Sequence, residues 1–312
     1  MIHRYLTLAL WAGGLMVVVA RADESTPASA PTTPAKAPAT DNEIRIQGIF
    51  NSALPHTEKK NSLRLIVHPH LGDLWDKDYL RTDLGVRYGI TSHWEATAEA
   101  ETYFSHGLGS ENFFSESGFS GYHLGTKYAL GHPFGLGWDT ALGVDWLQPV
   151  GTPPVEVTDG LRHIAPFVTL SKQLDGHPAW RIFWGVGYDD VSTTNVQGEL
   201  TKNELGADAV NFSAGFLYTR GSLTYTFETN YATTVASSPD GRGDNVFTIR
   251  PGVNWVIPQK YTFGAKGRWV FGFGLRASHG PDGYDYGASA KLRLNFDFKR
   301  LLGLKKSTNP GQ

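Results

Sequence analysis

The chain of 312 residues contains no cysteine and only two methionines. Absent thiols exclude disulfides, thiolate zinc centres and a lipidated N-terminal cysteine. The formal net charge is −2. That lacks the basic excess of nucleic-acid binders, so no nucleic-acid partner is expected. After the first twenty residues no apolar run reaches the roughly 18–20 residues that a spanning helix needs. A membrane crossing by this chain must therefore use strands. What the chain has in quantity is glycine, 36 residues, and aromatic side chains, 12%. That is the composition of an all-β protein.

The aromatics fall in a pattern. Segments of about ten residues place an apolar side chain at every second position, often with Trp, Tyr or Phe at the ends of the apolar face. In Trp94–Phe104 one face reads Trp94, Ala96, Ala98, Ala100, Thr102, Phe104, and the other reads Glu95, Thr97, Glu99, Glu101, Tyr103. A strand sends alternate side chains to opposite faces. Apolar flanks with aromatic ends, backed by a charged face, fit a closed sheet in lipid with its polar side inward. A soluble sandwich has no reason to sort its aromatics into two bands, as the rings at 94, 128, 180 and 255 and those at 104, 146, 188 and 231 are sorted.

Counting the alternation predicts an all-β fold, a closed antiparallel transmembrane β-barrel of about twelve strands. The predicted strands begin near Ser62, Tyr79, Trp94, Ser120, Leu136, Leu161, Trp180, Val210, Ser222, Val246, Arg268 and Tyr284, and the last ends at Phe298. Short joints alternate with longer polar loops, and Pro258–Gly267 is long for its side. An even strand number returns both ends of the barrel to the periplasmic side.

Residues 1–22 read as a signal peptide: a basic start at Arg4, an apolar run from Tyr5 to Ala20, and a small-x-small site at Ala20-Arg21-Ala22. Residues 23–42 are a Pro/Ala/Thr linker with too little apolar surface to fold. Residues 43–61, with Ile44, Ile46 and Phe50, form a pre-barrel segment, either a strand or a plug that folds back. Residues 62–298 are the barrel. Residues 299–312, with Lys299, Arg300, Lys305 and Lys306, form a periplasmic tail.

The predicted inner face carries charge of both signs. Arg250, Arg268, Arg276, Lys291 and Arg293 from the late strands meet Arg64, Arg81 and Arg87 from the first two when the barrel closes. This predicts a basic wall. Glu95, Glu99, Glu101, Asp139 and Asp145 predict an acidic wall, interrupted by Lys127. Facing walls of opposite sign would select solutes by charge. The competing reading is that these groups pair and fill the lumen.

Other chemistry is weaker. Ser105-His106, Ser278-His279 and Asp189-Asp190 sit at strand ends, where a base and a nucleophile could meet. Neighbouring residues of a strand point to opposite faces, however, so no catalytic residue is assigned. His68 and His70 share a face, with Asp73, Asp76 and Asp78 in the following loop. Pro69 and the loop setting favour a solvated rim, so neither metal nor cofactor is expected.

Ala290, Leu292, Leu294, Phe296 and Phe298 form an alternating terminal strand. It resembles the insertion signal of Gram-negative outer-membrane proteins, which implies the insertion machinery as a partner beside the lipid bilayer. Gly85-Val86-Arg87-Tyr88-Gly89-Ile90-Thr91-Ser92-His93-Trp94-Glu95 resembles the strand–turn–strand of channels in the phenol-degradation outer-membrane family. That resemblance implies a barrel concerned with small, often aromatic solutes, and carries no functional residue with it. The sequence thus predicts an outer-membrane channel or transporter for a small-molecule solute. The alternatives are a lipid-modifying enzyme and a structural or adhesive barrel with a plugged interior.

Overall fold

A computed structural model describes residues 52–106, 115–133, 137–200, 202–235, 244–262 and 267–297. The predicted signal peptide, linker and tail, residues 43–51 and Phe298 lie outside the described residues.

The alternation resolves into twelve antiparallel strands. They are β1 (Ser62–Pro69), β2 (Tyr79–Gly89), β3 (Trp94–Ser105), β4 (Ser117–Gly131), β5 (Asp139–Pro149) and β6 (Leu161–Leu174). The second half is β7 (His177–Thr193), β8 (Ala209–Arg220), β9 (Leu223–Thr234), β10 (Asn245–Ile257), β11 (Arg268–Gly280) and β12 (Gly283–Asp297). Each strand pairs with its sequence neighbours, and β1 pairs with β12 through Ser62↔Asp297 to Val67↔Leu292, which closes the barrel. Closure leaves no free edge, so every ladder group can be satisfied within lipid.

β7 begins three residues before the predicted Trp180. Its start is set by a tight turn with Gly176 at φ +75°, which admits His177 and Pro178 to the strand. The loop asymmetry fails at two joints, at the long 258–267 connection expected from sequence and at one more. β11 and β12 are joined at the long-loop end by Pro281 and Asp282 alone, with Gly283 at φ +82°. A four-residue helical turn, α1 (Asp73–Asp76), interrupts the β1–β2 loop. No helix among the described residues is long and apolar enough to cross a membrane.

Burial is inverted relative to a soluble domain. Leu84 is 47% exposed, Trp94 44% and Trp184 44%, whereas Glu228 is 0%, Glu95 2% and Arg293 3% exposed. Apolar groups coat the outside of the cylinder and ionised ones fill its inside, which is the arrangement of a barrel of the outer-membrane type. The outer rings also contact one another. Trp180 packs against Tyr218 at 4.8 Å, and Tyr218 stacks on Tyr225 at 6.3 Å, near the short turns. Tyr122 meets Trp146 edge-on at 5.6 Å near the long loops.

Candidate functional site

The interior is the candidate site, and the ladder register fixes which groups share it. On β1 and β2, Arg64 lies opposite Arg87, and His68 opposite Asp83. On β2 and β3, Gly85 lies opposite Glu99, and Asp83 opposite Glu101. On β9 and β10, Arg250 lies opposite Glu228. Across β11 and β12, Arg268 lies opposite Asn295, Arg276 opposite Gly287, and Lys291 opposite Gly272. All the predicted wall residues are therefore on the interior side of the ladder, and the basic group does run continuously from β10 through β12 to β2.

By strand order the two walls face each other in part. In the closed order five strands separate β12 from β6 in either direction, so β6 is its opposite number. Acidic β3 flanks the basic sector beside β2, whereas β5, with Asp139 and Asp145, stands opposite β11, with Arg268 and Arg276. The sector around β6 sets aromatic rings among charges that pair locally, such as Arg181 with Asp139 and His163 with Asp189. Phe167 lies over Gly143, where an added Cβ would stand 2.2 Å from the ring, and Phe183 lies over Gly215. These glycines provide the space that large interior rings need.

Most wall charges are engaged locally. Lys127 reaches Glu95 at 3.0 Å, Arg181 reaches Asp139 at 3.2 Å, and Arg276 reaches Asp285 at 2.5 Å. His123 bridges Asp145 at 3.1 Å and Glu99 at 3.6 Å. His163 bridges Asp159 at 2.8 Å and Asp189 at 2.9 Å. Arg81 makes a forked contact to Asp73 of α1, through Nε at 3.0 Å and Nη2 at 3.3 Å. His123 and His163 were legible only by strand parity, because a lone histidine carries no motif.

A second group of contacts comes from residues 52–58, just ahead of β1. The Ser52 N–H donates to Glu228 at 2.9 Å, and the Thr169 hydroxyl donates to the Ala53 carbonyl at 2.7 Å. Lys127 donates to the Leu54 and His56 carbonyls at 2.7 and 2.8 Å. The Glu58 N–H donates to Glu95 at 2.8 Å, and the Glu58 carboxylate pairs with Arg64 at 2.6 Å. Leu54 is 1% exposed. These partners stand on β1, β3, β4, β6 and β9, so the segment touches wall positions around the lumen, toward its short-turn end. Its sequence, Ser-Ala-Leu-Pro-His-Thr-Glu, has no strand or helix period, which is why periodicity left it open.

The long-loop end is laced by loops. Lys77 donates to the Glu156 carbonyl at 2.5 Å, and burial, aided by Arg81, pushes its ammonium below the ordinary lysine range. The Glu199 N–H donates to the carbonyls of Val155 and Thr158, both at 2.9 Å. Asn203 closes onto the β11–β12 turn. Its N–H donates to Asp282 at 3.0 Å and its side-chain amide donates to the Gly283 carbonyl at 3.0 Å. Beneath these loops are two cavities. One of about 680 Å³ borders His68, His70, Arg81, Arg250, Arg276 and Asp285. The other, of about 370 Å³, borders His70, Arg81, Asp83, Glu101, His163 and Asn211.

The catalytic pairings considered from sequence do not assemble into a nucleophile and its base. His106 Nε2 contacts the Asp73 carbonyl at 2.9 Å, and Ser105 accepts from the Glu116 N–H at 3.2 Å. Ser278 faces Asn203 inside the barrel, while His279 stacks edge-on against Tyr284 at 4.6 Å.

No protein-family model matches the chain, and no curated protein matches it in sequence. Among solved structures, the COG4313 outer membrane channel from Pseudomonas putida F1 aligns at 12% identity over 77% of this chain and 96% of its own, with a TM-score of 0.47. The KdgM porin aligns at 8% identity over 75% of this chain and 98% of its own, with a TM-score of 0.42. The NanC porin aligns at 12% identity over 75% and 97%, with a TM-score of 0.41. Likeness at this level assigns no function. The barrel architecture rests on the ladder and the inverted burial.

Proposed function

We propose that the protein is an outer-membrane channel for small solutes whose route is interrupted by residues 52–58. The carrying observation is the lumen itself. It holds cavities of about 680 and 370 Å³ bordered by ionised side chains, and below them a segment is held to the wall by hydrogen bonds and one short ion pair. A barrel serving only as a structural support has no use for polar chambers of that size. An enzyme would need a nucleophile beside its base, and the residues singled out for that role are apart.

The lumen wall favours one class of solute. Basic groups on β10–β2 attract an anionic head, and the Phe167 and Phe183 sector across from β12 accommodates an apolar body. Small aromatic carboxylates combine the two features, in keeping with the resemblance of the 85–95 segment. The predicted walls adjoin at β2–β3 and oppose each other at β5 and β11 in this reading, with Arg250 and Glu99 as the groups whose loss shifts preference most directly.

The experiment is single-channel recording of the complete protein in planar bilayers under a salt gradient. Arg250→Ala should move the reversal potential toward cation preference and Glu99→Ala toward anion preference. Absence of any conductance step, or identical reversal potentials in all three proteins, refutes the reading.

A further inference from the structure

The interior carries a cluster that the charge walls do not explain. His68 ends the inward face of β1, and His70, two residues on, continues it past Pro69. The β1–β2 register sets Asp83 directly opposite His68. One carboxylate oxygen, Oδ2, lies 3.3 Å from His68 Nδ1 and 3.0 Å from His70 Nε2. The two imidazole centroids are 5.0 Å apart. The three residues each offer a ligand atom within 4.8 Å of the others, and they are the one such group of three among the described residues.

These spacings match a coordination sphere. Bonds of about 2.0–2.1 Å to a tetrahedral centre set donor atoms roughly 3.3 Å apart. The loop aspartates that the sequence pointed to are not the partners. Asp73 is taken by Arg81, and the third ligand comes from the neighbouring strand. Two paired strands hold His68 and Asp83, and the His70 N–H, just past β1, donates to the Arg81 carbonyl at 3.0 Å, so little ordering is left to do on binding. His68 Nε2 is buried without a hydrogen-bond partner, so no second contact pins that ring against a small reorientation. Glu101 stands opposite Asp83 on β3 and adds a further carboxylate nearby.

We propose that His68, His70 and Asp83 bind one divalent late transition-metal ion of the Zn²⁺ class, open on its remaining positions to the barrel interior. Two imidazoles and one carboxylate suit Zn²⁺, Ni²⁺ or Cu²⁺, whereas Mg²⁺ and Ca²⁺ require all-oxygen surroundings. Lys291 on β12 and Arg81 on β2 keep the local field from favouring cations by charge alone, so ligand type does the selecting. The exposure is graded inward: the side chains of His68 and Asp83 are 15% and 18% accessible, and that of His70 is 34%. His70 borders both cavities, so the ion would sit where one chamber meets the other. Three protein ligands with an open position leave room for water or for a donor atom of a passing solute.

The test is a metal titration and does not depend on conductance. The complete protein in detergent, stripped with chelator, is titrated with Co²⁺ and then with Zn²⁺. One Co²⁺ per chain should bind with the intense visible absorption of a four- or five-coordinate centre, and Zn²⁺ should abolish it. Asp83→Asn and His70→Ala should each weaken binding by about 100-fold or more, beyond the 10–100-fold that outer-shell changes cost. His163→Ala, which removes a bridging histidine elsewhere in the lumen, should leave it unchanged. Heat-modifiable gel mobility checks that each variant is folded. If His70→Ala does not fold, Asp83→Asn and His68→Gln decide. No such absorption, wild-type affinity in the folded ligand variants, or an equal loss in His163→Ala would overturn the proposal.

Discussion

Lys127→Met is the sharpest perturbation of the segment that crosses the lumen. The Lys127 ammonium contacts three groups at once: the Leu54 carbonyl at 2.7 Å, the His56 carbonyl at 2.8 Å and Glu95 at 3.0 Å. Methionine keeps most of the stem volume and removes every donor. A hydrogen bond from a charged donor contributes about 1.5–3 kcal/mol, so two such bonds to the segment contribute about 3–6 kcal/mol. Part of that returns when the freed carbonyls find water. Glu95 retains the Glu58 N–H at 2.8 Å, so it is not left without a partner. A net loss of about 3 kcal/mol in seating the segment raises the unseated fraction roughly 100-fold.

The assay is open probability in planar bilayers, with Lys127→Arg as the conservative control. Lys127→Met should show long openings where the wild type shows rare ones. Protease cleavage of residues 52–58 should also accelerate from the short-turn side. An unchanged open probability together with unchanged cleavage would refute the idea that this segment limits passage. Lower conductance in Lys127→Met would refute it equally, because it would mean that the ammonium serves the permeating solute.

Two further outcomes follow from other parts of the fold. Leu124 faces outward at mid-strand on β4, opposite Ala98 and Trp146, and is 40% exposed. Leu124→Arg should destabilise the barrel by about 2–4 kcal/mol in bilayers, as a midplane cation does, and much less in detergent, read by urea titration in each medium; equal losses in the two media would contradict a lipid-facing position. Asn203 adopts φ +65° and ties its loop to the β11–β12 turn. Asn203→Ala removes both side-chain contacts and keeps a backbone that alanine resists, so trypsin should cut at Lys202 several-fold faster, and an unchanged rate would show that the loop is held by other means.

The barrel was legible because period-two patterning is a local property. β1, β2, β3, β6 and β11 begin at their predicted residues, and every other strand begins within three residues of expectation. The interior position of each wall residue followed from the same parity. The angular arrangement of the walls was not available by parity. It depends on counting strands around a closed ring, where β5 stands across from β11 and β3 across from β9. The third ligand of the His68–His70 cluster was hidden for a related reason. Its nearest acidic residues in sequence are in the loop, but strand pairing brings up Asp83 from beyond it. Residues 52–58 were the least readable part. An irregular segment is specified by what surrounds it, and its contacts reach residues as distant in sequence as Glu228 and Asn295.

The segment and the basic wall are electrically one unit. Arg64 stands opposite Arg87 across the β1–β2 ladder, and Arg293 is one strand away on the other side of Arg64. Three guanidinium groups this close repel one another in a low-dielectric interior. Glu58, delivered by the segment, meets Arg64 at 2.6 Å and accepts from Asn295 at 3.2 Å. Seating the segment therefore does two things together: it fills the cross-section and it neutralises the strongest part of the basic sector. Unseating it would widen the route and uncover that charge in the same step. A channel built this way becomes attractive to anions only when it is also passable, so Glu58→Gln should make the closed state costlier and leave the open state's anion preference intact. A Glu58→Gln variant whose open-state reversal potential shifted further toward anions would break this coupling, because it would mean that the Glu58 charge stays in the open lumen rather than leaving it.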